Sequence, residues 1–254
     1  MKNIWTIAKR EFLAYFTSPM AYILIAAFLL ITGFMFYQIM ASFVQYSLQY
    51  QQFNMGKPVT LTDGVIQPLF GSMNTVLLFI FPMITMRLIA EERKNETLPL
   101  ILTAPIRLIE YIMGKFFASV LLVGVMLGLT LIYPLILAIY GNPEWGPIFG
   151  AYLGSLLMIS CYLAIGLVFS ATTDNQIIAG SLTFAASLLF WIINWASQSV
   201  GSTWGEILNY LSLINHYQPF ARGLIVSSDL IFFVSFISVG LYLAHQVLDS
   251  YRWR

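Results

Sequence analysis

Charge is what this sequence has least of. Only 9% of its 254 residues are Asp, Glu, Lys or Arg, against about 25% in an ordinary soluble domain. A soluble fold of this size could not cover its surface with polar groups, which excludes an ordinary soluble enzyme; 59% apolar residues exclude a disordered chain. The formal net charge of +1 supplies no basic excess, so a nucleic-acid binder is excluded as well. Cysteine is nearly missing. Cys161 alone leaves no internal disulfide and no cysteine-based zinc site. Histidine is scarce too: His216 and His245, without clustered carboxylates, make neither a metal site nor a catalytic constellation. The Gly-x-Ser-x-Gly and His-Glu-x-x-His patterns are absent. Gly56-Lys57 and Gly114-Lys115 are followed by Pro58 and Phe116, not by Ser or Thr, so there is no phosphate-binding loop. No enzymatic activity and no cofactor are expected in this chain, and a pump built on it would need its ATPase in another polypeptide.

What is present is long apolar runs bounded by charges. A helix crosses the bilayer core with about 20 apolar residues. Charge-free stretches place spans at 21–37, 64–86, 116–143, 145–173, 175–205 (with an outer Trp-rich part) and 230–248. The expectation is an all-α membrane protein with six transmembrane helices and no cleavable leader. Lys and Arg set the orientation. With the N-terminus inside, Lys2, Lys9, Arg10, Arg87, Arg93, Lys94, Arg107, Lys115, Arg252 and Arg254 are cytoplasmic, and only Lys57 and Arg222 are outside. Ten against two predicts both termini in the cytoplasm. Trp145, Trp191, Trp195 and Trp204 fall near outer ends, as an interfacial belt does. All 11 acidic residues sit at span ends or in loops, which weighs against an ion-coupled carrier.

Three segments are not spans. Residues 1–18 read as an amphipathic helix lying on the membrane, with Ile4, Trp5, Ala8, Phe12, Tyr15 and Phe16 on one side and Ile7 and Leu13 breaking the pattern. Ser18-Pro19 separates it from the first span, because a residue before Pro avoids the helical region. Residues 87–115 hold nine of the chain's 23 charged residues. There a charged helical part precedes a short apolar part, 98–102, bounded by Pro99 and Pro105. Such an element suits docking to a soluble partner or lying on the membrane surface. Residues 205–229 are too short and too polar for a span, and read as an outer loop or a re-entrant helical turn.

The ordered set Glu91-Glu92-Arg93, Thr97-Leu98, Leu100-Ile101-Leu102-Thr103-Ala104-Pro105-Ile106 and Gly114-Lys115 resembles the cytoplasmic loop of ABC-2 type permeases, the membrane subunits of type V ABC transporters. His216-Tyr217, Phe220, Arg222-Gly223-Leu224-Ile225, Asp229-Leu230 and Arg252-Trp253-Arg254 resemble the gliding-motility-associated and nitrous-oxide-accessory branch. Two positions depart from the pattern. Glu96 stands where the family usually has glycine, and Pro99 where it often has an acidic residue, so a shifted helix boundary is expected there.

The resemblance implies one ABC-2 transmembrane domain over 1–254, in a multi-pass protein of the prokaryotic inner (plasma) membrane. It implies an elbow helix at 1–18 and a coupling region at 87–115. Leu98, Leu100, Ile101 and Leu102 would dock in a separate ABC ATPase that holds ATP and magnesium, with Thr97 beside them and Glu91, Glu92 and Arg93 setting orientation. It implies a re-entrant extracellular hairpin at 205–229, with His216, Tyr217, Phe220 and Arg222 at the gate. It also implies a homodimer or paired permease set in membrane lipid, with a path between the two subunits for which Met73, Asn74, Phe79, Met83, Phe184, Ser187 and Phe190 are the candidate lining. The implied function is the permease of an ATP-driven exporter. The alternative is an ABC-2 scaffold coupling ATP hydrolysis to an extracytoplasmic partner without solute transport.

Overall fold

A computed structural model describes residues 2–53, 60–103, 105–199 and 202–251; the side chains of 2, 51–53, 102, 196–199 and 202–204 are not among those described. Lys57, Ala104, Arg252, Trp253 and Arg254, with the side chains of Lys2, Leu102 and Trp204, therefore lie outside the described residues.

Every regular element among the described residues is helical. They are α1 (Lys2–Thr17), α2 (Pro19–Phe53), α3 (Gln67–Thr85), α4 (Ala90–Lys94), α5 (Leu98–Thr103), α6 (Leu108–Leu129), α7 (Ile132–Tyr140), α8 (Trp145–Thr172), α9 (Gln176–Ser199), α10 (Ser202–Leu211), α11 (Leu213–Ala221) and α12 (Ser227–Tyr251). A π-helical turn, Thr62–Ile66, leads into α3. Among the described residues six stretches are long and apolar enough to cross a membrane: Pro19–Tyr50, Thr62–Lys94, Leu108–Tyr140, Trp145–Thr172, Gln176–Trp195 and Ser227–Tyr251. The chain is a multi-pass membrane protein.

The boundaries differ from the sequence-based expectation where tertiary partners act. The chain breaks at Ser18, and Pro19 opens α2, which runs 35 residues. At 1.5 Å per residue that is about 52 Å, well beyond the roughly 30 Å apolar core of a bilayer. The third span starts at Leu108 rather than 116 and is split between α6 and α7 at Thr130-Leu131. Pro134 explains the split. It has no N–H to give to the carbonyl of Thr130, and its ring crowds that carbonyl. The buried Thr130 hydroxyl caps the break, 2.6 Å from the Leu127 carbonyl and 3.0 Å from the Tyr152 hydroxyl.

The core centres on α8, which packs against α3, α6, α9, α11 and α12. Lipid tails are as apolar as leucine, so burial of apolar surface does not drive membrane helices together; small residues that let backbones approach do. A Cβ on Gly166 would lie 2.5 Å from the Thr85 side chain, and one on Gly240 would lie 2.8 Å from Ala164. Those two contacts seat α8 on α3 and on α12.

Candidate coupling and gate sites

Two clusters lie at opposite ends of the bundle. The charged end gathers α1, α4, α5 and the start of α6. Lys115, only 2% exposed, places its ammonium 2.9 Å from Glu92 and 3.3 Å from Glu11. Arg10 closes on Glu11 at 2.7 Å, and the Tyr111 hydroxyl donates to the second oxygen of Glu92. One buried cation thus ties α1, α4 and α6 together. Burial works against the Glu11 carboxylate, but Lys115 and Arg10 together hold it below the ordinary carboxylate range.

Gly114 lets this happen. A Cβ there would sit 2.6 Å from Ile7 Cγ2, so the close approach that brings Glu11 to Lys115 needs glycine. The buried stripe of α1 is therefore Ile7 and Ala8, continued by Glu11 and Tyr15, with Trp5 and Leu13 exposed. Ile7, which breaks the pattern when the helix is read against lipid alone, packs on Gly114 of α6.

Arg93 is equally committed. Arg93 donates to the Ala171 carbonyl (2.7 Å) and the Tyr251 hydroxyl (2.6 Å), with its guanidinium 4.2 Å over the Tyr251 ring. Ser170 Oγ accepts the backbone N–H groups of Ile89 and Ala90. Glu92 and Arg93 thus bond inside the chain, to the ends of α6, α8 and α12. Glu91 is half-buried.

Between α4 and α5 the chain turns at Glu96, whose φ is +55°. Glu96 N–H meets the Arg93 carbonyl and Thr97 N–H meets the Glu92 carbonyl, the paired bonds of a Schellman helix end. The turn position favours glycine, and this chain fills it with Glu. Pro99 falls in the first turn of α5, where a missing N–H is tolerated. Thr97 is exposed, Leu98 is buried and Ile101 is half-buried against the core. Leu100 points away, 71% exposed; the Leu102 side chain lies outside the described residues.

At the other end, α10 and α11 form a helical hairpin that begins at Ser202 rather than 205. Ser212 caps α11 by accepting from Asn215 N–H. Phe220 is fully buried on α8, where a Cβ on Gly150 would meet the Phe220 carbonyl at 2.3 Å and one on Gly154 its Cβ at 2.6 Å. Gly223, at φ +79°, ends α11 with the same paired bonds as Glu96, from Gly223 and Leu224 to Phe220 and Pro219. His216 joins the hairpin to α12: Nδ1 lies 2.7 Å from Asp229 Oδ1, Nε2 lies 2.8 Å from the Tyr210 carbonyl, and the ring stacks on Phe232 at 3.8 Å. A carbonyl can only accept, so Nε2 is the donor to Tyr210, and Nδ1 faces the Asp229 carboxyl group. Of the four residues named for the gate, His216, Tyr217 and Phe220 are buried in the hairpin's seat and Arg222 is exposed.

The residues named for a path do not share one surface. Phe79 and Met83 are exposed on α3, and Phe79 packs on Phe184 at 5.3 Å. Met73 and Ser187 are fully buried. Phe190 turns to Phe236 of α12, 5.2 Å away. Asn74 is buried beside a cavity under the hairpin. No group of three or more potential metal ligands occurs among the described residues.

A family model described as "ABC-2 family transporter protein" matches residues 5–251. No curated protein matches the chain.

Proposed function

The chain belongs to the ABC-2 family of transporter proteins, and from that premise we propose that it is the permease subunit of an ATP-driven exporter. Its α5 is the coupling helix for a separate ABC ATPase. The observation that carries this reading is the contrast within residues 87–115. The charges of Glu92, Arg93 and Lys115 are spent bracing α4 against α1, α6, α8 and α12, while the next helix presents Leu100 outward. A short helix seated by Leu98 and Ile101, with an apolar side chain left uncovered, can pass motion from a soluble partner into the spans. α1 serves as the elbow helix along α6, and the α10–α11 hairpin closes the extracellular side. Both termini face the cytoplasm of a prokaryotic cell, and two copies, or a paired permease, enclose a path along the exposed side of α3 and α9 that carries Phe79, Met83 and Phe184. ATP and magnesium are held by the ATPase.

The test is Leu100→Asp. Losing one buried leucine contact is worth about 1.5–3 kcal/mol, and the introduced carboxylate would be buried unpaired at the contact. Membrane insertion and dimerisation should be unchanged, while recovery of the ATPase in detergent pull-downs and ATP-driven activity should be lost. Ile101→Asp is less informative, because Ile101 also packs on the chain's own core. Full ATPase recovery with Leu100→Asp would remove the docking assignment.

A further inference from the structure

At the charged end of the bundle, between α1, α2, α3, α4 and α6, lies a cavity of about 330 Å³, within the size range of small-molecule sites. It straddles the point where the charge-free run 64–86 ends and the charged stretch from Arg87 begins. In a spanning chain that is the depth of the lipid headgroups. Its wall passes from apolar to charged along the helices. Met83 stands four residues before Arg87, and Leu122 seven residues beyond Lys115, so both lie one to two turns deeper than those charges. Leu24 of α2 and Ile84 of α3 complete the apolar part. Met83 is 43% exposed, which leaves the apolar part open on the surface of α3.

The charges on the wall say what kind of occupant fits. Glu11, Glu92 and Lys115 are already paired, with Arg10 as the second cation of that cluster, so two cations balance two carboxylates. Two charged residues on the same wall remain. Arg87 and Glu91 both line the cavity, and among the described residues neither side chain makes an ion pair or a hydrogen bond, with the other or with anything else. One free guanidinium and one free carboxylate match a ligand that carries both signs. Guanidinium binds phosphate through charge-assisted, often paired hydrogen bonds, and a carboxylate accepts from an ammonium, which has three N–H groups to give. A purely anionic headgroup would leave Glu91 unmatched, and a trimethylammonium has no N–H to donate. We propose that this cavity holds the headgroup of a zwitterionic phospholipid with a primary ammonium, phosphatidylethanolamine. Its phosphate would sit on Arg87, its ammonium on Glu91, and the start of its acyl chains along Leu24, Met83 and Leu122. No residue of α9 lines the cavity, so it stands apart from the path along α3 and α9, and the lipid is a resident ligand beside α1 rather than cargo. The proposal goes beyond the permease reading and is testable on the chain without its ATPase.

The probes are dioleoyl phosphatidylethanolamine, phosphatidylcholine and phosphatidylglycerol, added one at a time to the delipidated chain in detergent and counted by native mass spectrometry. The three share their acyl chains and differ only in the headgroup. The expected result is about one phosphatidylethanolamine retained per chain, about tenfold tighter than either other lipid, the effect of roughly one charge-assisted hydrogen bond. Arg87→Gln and Glu91→Gln should each remove that preference. Neither side chain bonds to another described residue, so both variants should fold. Lys94→Gln removes an exposed cation that does not line the cavity and should leave the preference intact. Soluble phosphoethanolamine, which has the headgroup but no chains, should not displace the lipid at equal concentration. Equal retention of the three lipids, a preference for phosphatidylglycerol, an unchanged preference in both Gln variants, or displacement by phosphoethanolamine would each overturn the proposal. None of these outcomes would touch ATPase docking at Leu100, which the pull-down measures separately.

Discussion

Replacing Lys115 by Met should undock α1 while leaving the spans in place. The ammonium is the shared counter-ion of Glu11 and Glu92; its side chain is 3% exposed and theirs are 18% and 17%, so solvent screens the group only weakly. Removing one partner of a buried ion pair costs about 3–5 kcal/mol, because the remaining charge stays buried without compensation. Arg10 still reaches Glu11 and Tyr111 still reaches Glu92, which puts the expected loss near the lower figure, about 3 kcal/mol. For a chain of this size that corresponds to a fall of roughly 6–12 °C in melting temperature. The assay is thermal unfolding in detergent, paired with cross-linking of cysteines placed on α1 and α6. Adding Glu11→Gln and Glu92→Gln to Lys115→Met removes the stranded charges and should recover most of the loss, since neutral groups of similar volume replace a buried ion cluster at little cost. A Lys115→Met protein that melts within about 1 °C of the parent and still cross-links α1 to α6 would show that the cluster does not hold α1 in place.

Three further outcomes are expected. Glu96→Gly relieves a left-handed backbone that disfavours L-residues by about 1–2 kcal/mol; after the greater chain entropy of glycine is subtracted, a gain of about 1 kcal/mol remains, read as a melting temperature about 2–4 °C higher with unchanged ATPase recovery. Gly154→Val drives a side chain into Phe220 and Tyr217 and should unseat the hairpin at about 1–3 kcal/mol, measured as faster proteolysis within 202–226. Glu11 is held below its ordinary value of 4.5 in the fold, so its contribution is full above that pH and is lost as pH falls through the lower folded value; amide-exchange protection in residues 3–16, taken relative to the intrinsic rate at each pH, should fall in acid, and Glu11→Gln should flatten that dependence.

The spans are legible in the sequence because a charge-free apolar run longer than about 20 residues suits a bilayer crossing and little else, and Ser18-Pro19 marks a real break. What stays hidden is pairing across the fold. Lys115 and Glu110 look like the edge of a membrane span when read in sequence, and they push its start to residue 116. In three dimensions Lys115 is neutralised by Glu11, 104 residues away, and Glu110 caps α6 and meets Asn3, so the helix starts at Leu108. Ile7 looks out of place when the helix is weighed against lipid, whereas Gly114 is its neighbour. Arg93 looks like an outward charge because Ala171 and Tyr251 reach it only through folding. The grouping of Asn74, Ser155 and Tyr217 leaves no local pattern, because they converge from three different helices.

ATPase docking at α5 is tested most directly with a cysteine at Leu100. The single native cysteine, Cys161, is fully buried, so a Leu100→Cys chain has one accessible thiol. Membranes containing this chain and the ATPase, the latter carrying cysteines along its membrane-facing groove, are oxidised and assayed for a disulfide-linked product. The expected result is a permease–ATPase adduct that forms at Leu100 and fails to form from a cysteine placed at Ile225, at the hairpin end. A Leu100→Cys thiol that never cross-links to the ATPase, yet is protected by lipid from a water-soluble maleimide, would contradict the docking role of α5.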